Sequence, residues 1–207
     1  MPERVPERVP ERTREIVLAS TSRYRRELLA RVFPDARALA PDVDESALAG
    51  EEPRAQVLRL ARAKAARVAT ACPDAIVIGS DQLAAGPAGT LGKPGTAERA
   101  RQQLALLSGT SVRFLTAVAV LDARSGRVLD AIDVTEVRFR QLSPEDIERY
   151  VAREQPLDCA GSFKSEGLGI ALFEQVRSDD PTALIGLPLI ALCRLLRELG
   201  VEPLASG

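Results

Sequence analysis

Residues 112–139, VRFLTAVAVLDARSGRVLDAIDVTEVRF, hold two stretches in which apolar and polar side chains alternate on either side of a short turn. Alternation with a period of two around a glycine-containing turn predicts an antiparallel β-hairpin, with strands at residues 112–121 and 128–139. Three residues of the second strand are expected to face inward: Val134, Val137 and Phe139.

Shorter apolar runs and helical patterns surround the hairpin. The apolar runs predict strands at residues 16–19, 75–79 and 170–176. Apolar residues spaced three and four apart predict helices at residues 24–32, 54–71, 96–107, 145–153 and 189–199. Strands and helices that intermix around an antiparallel hairpin predict an α/β fold in which helices flank a mixed β-sheet.

Composition narrows the function classes. The chain has 207 residues, 28 basic and 29 acidic side chains, and no histidine. The near-neutral charge disfavours sequence-independent nucleic-acid binding, and the missing imidazole excludes Ser-His-Asp and Cys-His nucleophiles and histidine-ligated metals. The three cysteines are far apart and odd in number, which argues against a disulfide framework. Without a signal-like or membrane-spanning apolar segment, we expect a cytoplasmic protein that binds no membrane.

The length favours one domain with its own core. The first residues read PERVPERVPER, a repeat whose prolines interrupt helices and whose charges resist burial. We therefore expect a disordered tail at residues 1–14 and a single domain at residues 15–207.

A hydroxyl-rich turn, Ser20-Thr21-Ser22, follows the first predicted strand and opens the first predicted helix. Such a turn presents hydroxyls, backbone N–H groups and the positive end of a helix dipole, which suits an anionic ligand. Ordinary helix capping by Ser22 is an equally good interpretation of this stretch alone.

Lysine is scarce: 25 of the basic residues are arginine, and the three lysines are Lys64, Lys93 and Lys164. Arginine's planar fork cannot replace a compact ammonium in a tight site, so the retained lysines point to function, with chance placement as the alternative. Lys93 and Lys164 lie in glycine-bounded loops, where each could face a phosphate.

Two carboxylates, Glu45 in an irregular acidic stretch and Asp81 after an apolar strand, are candidates for a divalent-cation site. Oxygen ligands without a nitrogen or thiolate cluster favour magnesium or manganese. No Walker loop and no GxGxxG pattern occurs, which removes the P-loop and Rossmann interpretations.

Ordered motifs across residues 15–200 resemble those of the Maf family of nucleoside triphosphate pyrophosphatases. The motifs are residues 16–29, 42–45, 60–65, 78–82, 92–94, 107–109, 159–161 and 185–189. The resemblance implies a Maf/ITPase-like fold with two lobes around a nucleotide cleft, a homodimer, and cation-dependent hydrolysis of a nucleoside triphosphate to the monophosphate and pyrophosphate.

The resemblance also assigns roles to individual residues. It places the catalytic acidic position on Asp81, the upstream acidic position on Glu45, and phosphate-binding positions on Ser20, Arg25, Lys64 and Lys93. Free aspartate is a weak base at neutral pH, since its reference pKa is about 3.9. Asp81 therefore acts either on metal-bound water or in surroundings that make it more basic, and the sequence leaves both open.

Within the family, the chain resembles the 7-methyl-GTP subgroup. The residues that carry this are Gln82 after Asp81, the stretch 159–167 with Lys164 and Glu166, and Tyr24. N7-methylation leaves guanine with a positive charge, on which Tyr24 can stack, while Glu166 can accept from the guanine N–H donors. Phe163 is expected to belong to the core. The alternatives are a dTTP/UTP pyrophosphatase of the same family and a nucleotide-binding regulator of septum formation without turnover.

Overall fold

The computed structural model describes residues 14–86 and 89–205. Within them the strands are β1 (Ile16–Ala19), β2 (Arg37–Leu39), β3 (Ile76–Gly86), β4 (Gly89–Leu91), β5 (Ser111–Asp122), β6 (Val128–Phe139) and β7 (Phe173–Arg177). The helices are α1 (Arg23–Ala30), α2 (Pro53–Ala69), α3 (Ala97–Leu107), α4 (Pro144–Glu154) and α5 (Leu189–Glu198). Short 3-10 turns lie at Ala160–Ser162, Leu168–Leu172, Ala183–Ile185 and Pro203–Ala205.

The strands form one mixed sheet in the order β2-β1-β3-β5-β6-β7, with β4 paired to β3. β1 is parallel to both β2 and β3, whereas β3, β5, β6 and β7 pair antiparallel. The predicted hairpin is confirmed as β5 and β6, and the predicted class, a mixed sheet flanked by helices, is confirmed with it.

Two groups of helices pack on the same face of the sheet. Phe114 of β5 packs against α3 and α4, and Val118 of the same strand packs against α1 and α5. Residues four apart in a strand project from one face, so the two groups lie side by side along the long strands. They form the two lobes expected for this fold, and α2 covers the opposite face.

Helix α2 approaches β3 very closely at Gly79. A Cβ atom there would lie 2.1 Å from the carbonyl oxygen of Ala61 and 2.8 Å from the backbone nitrogen of Ala65. Only glycine permits this approach, which brings Lys64 of α2 beside the strand residues that follow Gly79.

Several sequence-based expectations need correction. Strand β3 does not end at residue 79 but runs to Gly86, so Asp81 lies inside the strand. Val134 is 41% exposed, whereas Val137 and Phe139 are fully buried. Val134 lies an odd number of residues from both, and the period of two turns it to the other face. The segment predicted as a strand from residue 170 begins as a 3-10 turn, with β7 starting at Phe173.

The predicted tail falls on residues 1–13, outside the described residues, and on Arg14, whose guanidinium pairs with Asp122. The cysteines in the described part are free, with Cys72 buried and Cys159 and Cys193 partly buried. None of the helices described combines the length and apolar character needed to cross a membrane.

Candidate active site

The site lies where β3 extends beyond the end of its parallel neighbour β1. β1 pairs with β3 as far as Gly79, and β4 begins to pair with it at Ala84. Between these points β3 pairs with β5 alone, and Asp81 and Gln82 of this stretch line a cleft. The cleft has a volume of about 490 Å³, in the range of about 300–1,000 Å³ usual for small-molecule sites.

A lysine joins the two predicted carboxylates. Lys64 Nζ lies 2.7 Å from Asp81 Oδ1 and 2.7 Å from Glu45 Oε1. The Lys64 and Asp81 side chains are 5% and 11% exposed, whereas that of Glu45 is 60% exposed. The three residues come from a helix, a strand and a loop, and they form a compact charged group that faces the cleft.

The carboxylate pair can be tested as a metal site. Within the described residues, no group of three or more histidine, cysteine, aspartate or glutamate side chains could enclose a metal ion. Magnesium, however, commonly binds one or two carboxylates and completes its coordination with substrate phosphates. Asp81 and Glu45 fit that arrangement, and their role as metal ligands stays a prediction.

The turn after β1 brings Ser20 and Arg25 to the cleft. Ser20 is buried and its Oγ accepts from the Ser22 backbone N–H at 3.1 Å. Ser22 also caps α1, so the capping interpretation is confirmed.

Arg25 Nε donates to Gly186 O at 2.8 Å. Burial lowers the pKa of the Arg25 guanidinium, while Asp81 and Glu45 oppose that shift. A desolvated cation beside a cleft favours an anionic ligand. With Glu45, Lys64 and Asp81, Arg25 forms the carboxylate–lysine cluster.

A second group, the acidic–aromatic cluster, consists of Tyr24, Asp158, Cys159 and Glu166, all of which line the cleft. The Tyr24 hydroxyl lies 3.5 Å from Asp158 Oδ2. Burial, followed by the effects of Cys159 and Asp158, raises the pKa of Tyr24 to about 12. Burial and the charge of Asp158 raise the pKa of the Cys159 thiol to about 12. Both groups are therefore neutral at physiological pH, and the net charge of the cluster is negative.

Two further predicted residues take different positions in the cleft. Lys93 is exposed in the loop after β4 and lines the cleft. Gln82 also lines it, but its amide nitrogen donates to Thr116 Oγ1 and to the backbone oxygens of Ala183 and Leu184. Gln82 therefore holds the Ala183–Ile185 turn against the sheet.

Lys164 does not face the cleft, contrary to the prediction. Its Nζ donates to Glu154 O at 2.8 Å and to Gln155 O at 3.4 Å, at the C-terminal end of α4. Gln155 has left-handed backbone angles there, and the last carbonyls of a helix need donors. Lys164 satisfies them and so serves structure.

The remaining predicted residues all line the cleft: Ser20, Tyr24, Arg25, Glu45, Lys64, Asp81, Gln82, Lys93 and Glu166. Phe163 is buried among Phe114, Phe139 and Phe173, which confirms its place in the core. Sequence reasoning missed Asp158 and Arg23. The Arg23 guanidinium carbon lies 4.8 Å from the Tyr24 ring centre, so one face of the ring is covered. The signal for Asp158 in the sequence is its position directly before the motif at residues 159–161.

The chain is similar in sequence to proteins that carry a functional name and in structure to a solved protein. Proteins named 7-methyl-GTP pyrophosphatase include one from Xanthomonas campestris pv. campestris, 56% identical over 185 residues, or 89% of this chain and 96% of that protein. Another, from Albidiferax ferrireducens, is 51% identical over 193 residues, or 93% of this chain and 97% of that protein. The solved structure of the Staphylococcus aureus Ham1 protein is 16% identical, with a TM-score of 0.49, over 90% of this chain and 98% of that chain.

A family model described as Maf-like protein matches residues 15–199. The match takes in both lobes and every residue that was predicted to act at the cleft. The chain belongs to the Maf family.

Proposed function

We propose that the protein is a nucleoside triphosphate pyrophosphatase that hydrolyses 7-methyl-GTP to the monophosphate and pyrophosphate. The observation that carries the proposal is the pairing, in one cleft, of a carboxylate–lysine cluster suited to phosphates with an acidic–aromatic cluster suited to a cationic base. Relatives at 51–57% identity that bear the name 7-methyl-GTP pyrophosphatase support the same substrate.

The chemistry follows from the carboxylate–lysine cluster. A water oxygen attacks a phosphorus of the α–β anhydride, the bond to the bridging oxygen breaks, and Asp81 accepts the proton of the attacking water. Lys64 holds Asp81 in place through a charge-assisted hydrogen bond and Glu45 through an ion pair. Arg25 and Lys93 stabilise the charge that develops on the phosphates, an effect worth several kcal/mol in comparable sites.

A divalent cation, magnesium or manganese, belongs to the proposal. Asp81 and Glu45 would hold it together with phosphate oxygens. When bound, it neutralises charge on the triphosphate and lowers the pKa of coordinated water.

Selection of the base is proposed for the acidic–aromatic cluster. Its negative charge favours a ring that carries a positive charge over a neutral one. The face of the Tyr24 ring opposite Arg23 offers a surface for stacking, and Glu166 offers an acceptor for ring N–H donors. Such an enzyme would keep methylated nucleotides out of RNA, and the proposal includes a cytoplasmic location. The proposal includes a homodimer and no nucleic-acid partner, the latter in keeping with the near-neutral charge.

The test is pyrophosphate release with Mg²⁺ from 7-methyl-GTP, GTP, dTTP, UTP, CTP and ITP. The same assay is run on Asp81→Asn, which lacks the proposed base. We expect 7-methyl-GTP to be the fastest substrate and Asp81→Asn to reduce the rate by at least about 100-fold. Preference for dTTP or UTP would refute the assignment of the base. Nucleotide binding without turnover on any of the six would refute the enzyme and favour a regulator.

A further inference from the structure

Gln103 on α3 contacts two loops of the cleft at once. Its Nε2 donates to Gly92 O at 3.1 Å, and the Ser162 hydroxyl donates to its Oε1 at 2.5 Å. A backbone carbonyl can only accept, so the amide nitrogen must face Gly92 and the amide oxygen is left for Ser162. One side chain therefore binds both loops through opposite ends of its amide.

The two loops carry different parts of the site. Gly92 immediately precedes Lys93, and Ser162 ends the turn that follows Asp158 and Cys159. Lys93 belongs to the proposed phosphate-binding residues, whereas Asp158 and Cys159 belong to the acidic–aromatic cluster. Gln103 thus contacts both the loop that carries a residue proposed for the phosphates and the loop that carries residues proposed for the base.

The connection is buried on the side of Ser162. Ser162 is fully buried and has a φ of 61°, in the left-handed region. A residue with a Cβ adopts that conformation when its surroundings hold it there. A second hydrogen bond, from Gly95 N to Leu157 O at 3.0 Å, joins the same two segments. Hydrogen bonds therefore link residues 92–95 and 157–162 to each other and to α3.

We propose that Gln103 is a positioning residue that couples recognition of the base to the placement of Lys93. The inference rests on the proposed function and extends it, because it names a residue outside the lining of the cleft. Lysine has a long flexible side chain, so its ammonium is placed accurately only if its backbone is held. A misplacement of about 1 Å at a reacting centre can cost on the order of 100-fold in rate.

Gln103→Glu tests the coupling selectively. A carboxylate still accepts from Ser162, but it cannot donate to Gly92 O, so the Lys93 loop loses its bond to α3 while the bond to Ser162 remains. We expect kcat for 7-methyl-GTP to fall by about 10- to 100-fold with a smaller change in KM, while the thermal midpoint stays close to that of the wild type. The matched control is Gln102→Glu, on the same helix, where the exposed side chain bonds Glu98. It should behave as wild type.

A double-mutant cycle with Lys93→Ala separates positioning from general damage. If Gln103 acts through Lys93, Gln103→Glu will cost less than about twofold when Lys93 is already absent. An equal loss in both backgrounds, or wild-type kcat in the single variant, overturns the inference. A wild-type protein that releases no pyrophosphate from any nucleotide refutes the proposed function itself, and this inference falls with it.

Ser162→Ala tests the other end of the amide. It removes the hydrogen bond to Gln103 Oε1 and leaves the bond to Gly92 in place. We expect the ratio of kcat/KM for 7-methyl-GTP to that for GTP to fall, because the segment that carries Asp158 loses its connection to the Lys93 loop through Gln103 and keeps only the bond from Gly95 N to Leu157 O. An unchanged ratio would contradict the coupling.

Discussion

Lys64 and Asp81 form an ion pair of 2.7 Å that is almost entirely withdrawn from water, whereas the same ammonium meets Glu45 at the surface. The two ion pairs of Lys64 therefore differ in their effect on stability. Loss of one partner of a buried pair leaves an uncompensated buried charge, which costs far more than loss of an exposed partner.

Lys64→Met should therefore destabilise the protein by about 3–5 kcal/mol, because the Asp81 carboxylate remains buried without its cation. Glu45→Gln is the control, and its effect should stay within about 1 kcal/mol, since Glu45 is mostly exposed. Urea unfolding at pH 7 measures both. Equal losses in the two variants would show that burial does not govern this cluster.

Gly79→Ala should displace α2, because the new Cβ would overlap the backbone of Ala61 and Ala65. Overpacking against backbone costs about 1–3 kcal/mol, and the shift also carries Lys64 away from Asp81. We expect lower stability together with lower pyrophosphate release. Gly92→Ala is the control for stability, as its Cβ would meet no atom within 4 Å. If Gly79→Ala unfolds at the same urea concentration as Gly92→Ala, the close approach is not needed.

Glu166→Gln should weaken selection of the methylated base. The change keeps the size of the side chain but removes a negative charge from the acidic–aromatic cluster. A hydrogen bond to a charged group contributes about 1.5–3 kcal/mol, so kcat/KM for 7-methyl-GTP should fall by about tenfold or more relative to that for UTP. Glu174→Gln, at a surface ion pair on β7, is the control. A ratio that does not change would remove Glu166 from base recognition.

Asp122 should make stability depend on acid pH. Its carboxylate accepts from Arg14 and from the Arg124 backbone N–H, and these bonds hold its pKa well below the usual range. A depressed folded-state pKa stabilises the fold above the unfolded value of about 3.9, and the contribution is lost as the pH falls further. Asp122→Asn should be less stable than wild type at pH 7, and the difference should shrink below about pH 4. A difference that stays constant to pH 2.5 would contradict the role of the charge.

The sequence was sufficient for most of the cleft because its motifs contain most of the residues that meet there. Lys164 could not be placed, since its true partners are carbonyls that become available only when α4 ends in a left-handed residue at Gln155. The length of β3 was underestimated for a related reason. Ser80, Asp81 and Gln82 break the apolar run, yet a strand that borders a cleft keeps its backbone pairing with polar side chains.

The contribution of Gln103 was also beyond sequence reasoning. Nothing in its local pattern differs from that of Gln102, one residue earlier on the same helix. Only the folded chain shows that one glutamine faces two loops while the other faces outward.

The unequal surroundings of the three lysines make this protein unusually easy to probe by amine chemistry. Lys64 is buried in an ion pair and Lys164 is bound to the end of a helix, whereas Lys93 is exposed at the cleft. An acylating reagent used sparingly should therefore modify Lys93 ahead of the other two side chains. The mass of a single peptide would then report whether the cleft is occupied, without any measurement of turnover.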